Sequence, residues 1–173
     1  VAGLFVLLWA GLMAAASLTG VASVLEGVST RLRWQAFASG LELVASDDSK
    51  YQNIAIGSLG KQFSLYTNGT VASTWPDHAA LAVDAHLIAC QHPSPARMLV
   101  LGGGAEGMLK ELLRHDPARL DYVTLDRRVL ELSRPLLDSV DAAAIAAPTV
   151  RVHINDARRF VARAARVRRS LYD

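Results

Sequence analysis

The stretch Met98-Leu99-Val100-Leu101-Gly102-Gly103-Gly104 decides how the rest of the chain is read. Four apolar residues in a row form the kind of short strand that a parallel sheet buries on both faces. Three glycines follow at once. Residues 109–114, Leu-Lys-Glu-Leu-Leu-Arg, then carry a helical pattern that closes near His115-Asp116-Pro117. A glycine turn between strand and helix lets the backbone approach a ligand closely. The helix N-terminus behind it offers unpaired N–H groups and a partial positive charge.

Toward the C-terminus the same unit repeats. Asp121-Tyr122-Val123-Thr124-Leu125-Asp126 is a second strand with an acid at its end, and residues 127–137 are a second helix, bent or restarted at Pro135. Val150-Arg151-Val152-His153-Ile154 is a third strand, followed by Asn155-Asp156 and a helix whose apolar face is Phe160, Val161, Ala164 and Val167. Leu171-Tyr172-Asp173 reads as the opening of a fourth strand. The β-α-β-α-β-α order predicts an α/β fold: a Rossmann-like, doubly wound parallel sheet of the methyltransferase type with right-handed crossovers.

Toward the N-terminus the pattern changes. Residues 77–91 are Ala-rich and helical, capped by Asp77 after Pro76 and ended by His92-Pro93-Ser94-Pro95. Residues 41–75 hold short alternating runs at 41–44, 53–56, 62–66 and 70–72. Turns at 46–49, 57–60 and Asn68-Gly69 separate them. An Asn-Gly pair between short strands is a strong hairpin signal, so a small antiparallel β unit is expected. Asn68-Gly69-Thr70 also fits a glycosylation pattern and is read as the turn.

The composition is 51% hydrophobic, and the excess sits at the start: no charged residue precedes Glu26. About 20 apolar residues suffice for a membrane helix, and Gly3, Gly11 and Gly20 are tolerated there. A signal peptide would want a basic start and a shorter apolar core, and a buried soluble helix is the other alternative. The expected organisation is a transmembrane helix over 1–25, a connecting segment over 26–40, a hairpin unit over 41–75, and the first half of the Rossmann-like domain over 76–173. Arg31 and Arg33 follow the apolar run and nothing basic precedes it, which predicts a membrane protein with its α/β domain in the cytoplasm.

The binding chemistry is read from spacing. Asp126 lies 22 residues after Gly104, where a carboxylate accepts hydrogen bonds from ribose hydroxyls. Asp156, beyond the third strand, is placed to accept from an adenine amino group. Both also suit helix N-caps, and the glycines also suit plain strand-to-helix packing. Glu106 puts a negative charge where a pyrophosphate wants N–H groups, so the ligand is one without phosphates or a cation. An adenosyl sulfonium, S-adenosylmethionine or its decarboxylated form, meets that description as a co-substrate.

Other classes recede. Eighteen basic against 16 acidic residues, net +2, does not call for nucleic acid. Arg158, Arg159, Arg163, Arg166, Arg168 and Arg169 read as a solvated helix face. His78, His86, His115 and His153 lack ligand spacing, so no metal is assigned, and the single Cys90 allows neither an internal disulfide nor a cysteine-based metal site. Assembly as a homo-oligomer is compatible with the sequence.

At these residues the chain resembles the spermidine synthase (polyamine aminopropyltransferase) family, and most closely its membrane-attached branch. The similarity runs from about Ser49 to Asp173. It rests on Ser49-Lys50-Tyr51-Gln52, the hairpin at Leu65 to Gly69, Pro76-Asp77, His86 and His92-Pro93-Ser94-Pro95. Its most specific block is residues 99–104 followed by 109–115, and residues 122–126, 156–160 and Tyr172-Asp173 complete it. The resemblance implies that Gln52 contacts the adenosyl ligand and that Asp156, with Ala157 beside it, reads the adenine. Gly102, Gly103, Gly104, Glu106 and Asp126 surround the rest. It also implies an amine acceptor such as putrescine.

Departures from the family pattern fall at positions that hold the polyamine or the ribose in the family's soluble enzymes. The family's Asp after the three glycines is Ala105 here, and its Glu two residues before the strand-end acid is Thr124. Its His-Glu pair is Leu81-Ala82, and its Gln after the hairpin is Ala72. The family's catalytic Asp follows the fourth strand, so no catalytic residue is expected in this chain, which reads as a fragment. An S-adenosylmethionine-dependent methyltransferase and a catalytically inactive membrane protein fragment are the alternatives.

Overall fold

A computed structural model of the protein describes residues 2–18, 20–103, 106–166 and 172–173. The chain divides into two compact units, Val1–Leu43 and Val44–Asp173.

The first unit holds α1 (Ala2–Leu18) and α2 (Val21–Phe37). They are separated at Gly20, whose φ of 73° lies in the left-handed region that interrupts a helix. The single helix expected over 1–25 is therefore two, and most of the expected connecting segment 26–40 is the body of α2. At 17 residues α1 is about 25 Å long, against a hydrocarbon core of about 30 Å. No helix among the described residues is long and apolar enough to cross a membrane. Leu4, Phe5, Val6, Trp9 and Met13 are exposed, whereas Trp34 is buried and its Nε1 donates to the Leu41 carbonyl at 2.9 Å.

The second unit opens with a four-stranded antiparallel sheet in the order β1 (Glu42–Asp48), β2 (Asn53–Leu59), β3 (Gln62–Thr67), β4 (Thr70–Trp75). The Asn68-Gly69 turn is as expected: φ of 49° and 76° at its two residues suits the tight hairpin whose twist matches the strands. Two expected turns are shorter than read. Asp47 and Asp48 belong to β1, where the Arg128 guanidinium hydrogen-bonds Asp47 and holds its carboxyl below the usual range. Gly57 and Ser58 belong to β2, paired with Ser64 and Phe63, so that only Gly60 and Lys61 turn. Ile54, Ile56, Leu65 and Trp75 form the buried face. Val129, Leu132 and Leu136 pack against it, which fixes this sheet to the Rossmann-like half.

That half begins with α3 (His78–Ala89), whose N-cap Asp77 accepts from Ala80 N–H as expected. β5 (Arg97–Leu101), β6 (Arg119–Thr124) and β7 (Val150–Ile154) pair in parallel in the order β5-β6-β7. Between them run α4 (Met108–Leu113) and α5 (Arg127–Ser133), with a 3-10 turn at Arg134–Leu136 where Pro135 breaks the helix. α6 (Ser139–Ile145) was not expected, and α7 (Ala157–Ala165) follows β7. Leu109, Leu112, Leu120, Tyr122, Ala144 and Ile145 join α3 residues Ala85 and Ala89 in one core. Each fully buried aliphatic side chain there contributes about 1.5–3 kcal/mol.

Of the expected fourth strand, Leu171 lies outside the described residues, as does Val167 of the expected helix face. Tyr172 and Asp173 are not in a strand, but Asp173 N–H donates to Arg97 O at 3.0 Å, placing this residue beside β5. Tyr172 donates to Asp121, a fully buried carboxylate on β6 that also accepts from Arg119 and lies 2.7 Å from His153 Nε2. Burial raises Asp121, yet the hydrogen bonds from Arg119, His153 and Tyr172 outweigh it and hold the carboxyl below its ordinary range.

Candidate adenosyl-binding site

Parallel pairing brings the C-terminal ends of β5, β6 and β7 to one edge. Gly102 N–H donates to Val123 O at 2.8 Å and Asn155 N–H to Thr124 O at 3.0 Å, so the three loops leave the sheet side by side. Ligands bind in the crevice outside such strand ends.

Gly102 and Gly103 adopt φ of 71° and 39°, and no heavy atom lies within 4 Å of a Cβ built on either. The open space over this backbone is what close approach of a ligand needs. Gly104, with Ala105, lies outside the described residues. Gly107 (φ 125°) is different: a Cβ there would meet Leu81 Cδ1 at 3.0 Å, so this glycine serves packing.

Asp126 closes the next strand and is 6% exposed. Its Oδ1 accepts from Arg128 N–H at 3.0 Å, capping α5. Its Oδ2 accepts from Ser49 Oγ at 2.6 Å and from Gln52 Nε2 at 3.3 Å. Two residues expected to touch the same ligand, Gln52 and Asp126, are thus brought together from 74 residues apart. Asp156 Oδ1 accepts from Arg159 N–H at 2.9 Å and caps α7, with Ala157 as the first helical residue. The capping roles weighed from the sequence are therefore real for both acids, and for Asp126 they coexist with the Gln52 contact.

Glu106 directly precedes Gly107, the N-cap of α4. It is buried, follows the glycine turn, and accepts from Ser73 Oγ on β4 at 3.4 Å. Burial pushes its carboxyl above the ordinary range, and the nearby Asp141 charge pushes the same way. Burial also raises the Tyr122 hydroxyl to about 12, with Glu106 adding to it. Asp141 itself is buried and pairs with Lys110 Nζ at 3.0 Å. Lys110 also donates to His78 Nδ1 at 2.9 Å, and His78 Nε2 lies 3.4 Å from Asp138. Ligand atoms of His78, Asp138 and Asp141 lie within 4.8 Å of one another. The Lys110 ammonium already supplies the positive charge among them.

A cleft of about 590 Å³ runs along β5 past Gly102 and Gly103, lined by Ile88, Met98, Val100 and Met108. It does not include Gln52, Asp126 or Asp156, so it is not the site those residues build. Sequence reasoning quoted Ser49 within a motif without a role, and it missed Ser73 and the Lys110–Asp141 pair. The Asp138 cap before an Ala-rich run was the visible sign of α6.

Residues 82–173 match the family described as "Spermine/spermidine synthase domain". The chain is 32% identical over 147 residues to spermidine synthase of Coffea arabica, covering 79% of this chain and 46% of that protein. It is 33% identical over 99 residues to polyamine aminopropyltransferase of Caldicellulosiruptor bescii. It thus spans under half the length of these curated relatives. Among solved structures, spermidine synthase from Thermotoga maritima superposes with a TM-score of 0.62 at 24% identity, over 70% of this chain and 43% of that one. A spermidine synthase in complex with the transition state analogue AdoDATO gives the same values. These likenesses establish the fold.

Proposed function

The chain belongs to the spermine/spermidine synthase family, and on that premise we propose that it carries the adenosyl-binding half of an aminopropyltransferase whose co-substrate is decarboxylated S-adenosylmethionine. One observation carries the reading: Gln52 and the strand-end Asp126 meet at the edge of the sheet where Gly102 and Gly103 leave open space. In this reading Asp126 accepts from the ribose, Gln52 contacts the adenosyl group, Asp156 and Ala157 flank the adenine, and Gly102 and Gly103 form the floor. In its ionised form Glu106 adds negative potential that favours a cationic ligand over a phosphorylated one.

The reaction is a displacement. An uncharged amine, putrescine or another polyamine, attacks the carbon next to the sulfonium. The carbon–sulfur bond breaks, the thioether leaves, and the nitrogen loses a proton. The residues named above bind and orient the donor, which supplies the proximity part of the rate. Product analysis tests the reading: incubation with the decarboxylated donor and putrescine should release 5′-methylthioadenosine together with spermidine. Release of S-adenosylhomocysteine from S-adenosylmethionine instead would establish methyl transfer.

We further propose membrane attachment through α1, with the α/β domain on the cytoplasmic side. Its support is that α1 carries no charge and exposes Leu4, Phe5, Val6, Trp9 and Met13, while Arg31 and Arg33 follow. Flotation with vesicles that is lost when 1–20 are removed supports it; recovery in the soluble fraction contradicts it.

A further inference from the structure

Ser49 lies in the β1–β2 turn and Asp126 at the head of α5, 77 residues later, yet the distance between Ser49 Oγ and Asp126 Oδ2 is 2.6 Å. The hydroxyl is fully committed. It accepts from Tyr51 N–H at 3.0 Å and Gln52 N–H at 3.1 Å, which fills both lone pairs. Its one proton has two acceptors in reach, Asp126 Oδ2 at 2.6 Å and Gln52 O at 3.2 Å, and the shorter, charged acceptor wins. Ser49 N–H closes the same turn by donating to Gln52 O at 2.9 Å.

An ionised carboxylate offers about four acceptor positions. Asp126 uses three, for Arg128 N–H, Ser49 Oγ and Gln52 Nε2. A ribose with two hydroxyls needs two. The weakest of the three contacts is the Gln52 amide at 3.3 Å, so that is the one a ligand hydroxyl displaces, freeing the amide for the adenosyl group. The Ser49 contact persists and keeps the carboxylate aimed. An Asp or Asn at position 49 would also accept the two turn N–H groups. Only a hydroxyl accepts both and still donates to Asp126 without adding charge or bulk.

We propose that Ser49 is a positioning residue for the adenosyl site, acting on the ligand's ribose through Asp126. The inference rests on the adenosyl-binding reading above. Its test is calorimetric titration of the whole chain with two probes, 5′-methylthioadenosine and its 2′,3′-dideoxy analogue. The expected result is that Ser49→Ala weakens the ribose probe at least about tenfold, the low end of what a hydrogen bond to a charged group is worth, and changes the deoxy probe by less than about twofold. Ser49→Thr should restore the ribose probe to within about threefold of wild type. Ser49→Cys keeps the size with a weak donor and gives the same readout if the alanine variant does not fold. Equal weakening of both probes, as from general damage to the turn, overturns the proposal, and so does no change in either. If wild type binds neither probe, the adenosyl reading itself fails. Binding by wild type with an indifferent Ser49→Ala fails the positioning role alone.

Discussion

The side-chain amide of Gln52 lies 3.3 Å from the carboxylate of Asp126, joining the β1–β2 turn to the first turn of α5. Asp126 therefore holds a helix cap and a site residue with one carboxylate. Asp126→Ala should cost about 1 kcal/mol of stability through the lost cap. It should also weaken an adenosyl ligand at least about tenfold. Urea denaturation and calorimetry on the same sample separate the two losses. A variant that loses stability but keeps full affinity would make Asp126 a cap and nothing more.

Gly107 has a φ of 125°, and a Cβ there would sit 3.0 Å from Leu81 Cδ1. Gly107→Ala should destabilise the protein by about 1–3 kcal/mol from backbone strain alone. Gly102→Ala shares the strained φ but meets open space, so its stability loss should be smaller and its effect on ligand binding larger. Denaturation midpoints and binding constants of the pair check the contrast.

Glu106 titrates above the usual glutamate range because burial penalises its charge. A folded pKa above the unfolded one means a contribution to stability that is full below the unfolded pKa and is lost as pH rises through the folded value. Glu106→Gln, neutral throughout, should gain on wild type as pH rises from about 4 to about 8. Urea midpoints across that range measure it, and a difference that does not change with pH would contradict the assignment.

Asp121 is fully buried among Arg119, His153 and Tyr172. Asp121→Leu leaves these groups without their acceptor and should cost about 3 kcal/mol, the low end for a broken buried pair. The reason is that the Arg119 side chain is 40% exposed and water can solvate it. Asp121 is held low, so its stabilisation is present above the unfolded pKa and lost as pH falls through the folded value. The variant should therefore lose less relative to wild type in acid, as thermal melts at two pH values would show.

What the sequence made legible follows from local physics. Met98 to Gly103 reads correctly as strand and glycine turn because both are short-range patterns, but the expected burial on both faces does not hold: only Met98 is buried and Leu101 is 47% exposed. Asn68-Gly69 reads correctly because left-handed φ at two successive residues selects those residue types. The break at Gly20 was not legible, since Gly3 and Gly11 in the same run stay helical. α6 was overlooked because residues 142–144 are all alanine and give no stripe of large apolar residues. The contacts that organise the site, Ser49 with Asp126, Ser73 with Glu106 and Lys110 with Asp141, each join residues 31 or more apart in the chain. No periodicity encodes them.

The central claim is the location of an adenosyl ligand, and amide chemical-shift mapping tests it most directly. Titration of the isotope-labelled chain with decarboxylated S-adenosylmethionine should move the resonances of Gln52, Gly102, Gly103, Arg128 and Ala157, and leave Lys61, Gln62 and Arg163 in place. Shifts confined to residues away from the ends of β5, β6 and β7, or no shifts at saturating ligand, would contradict the account.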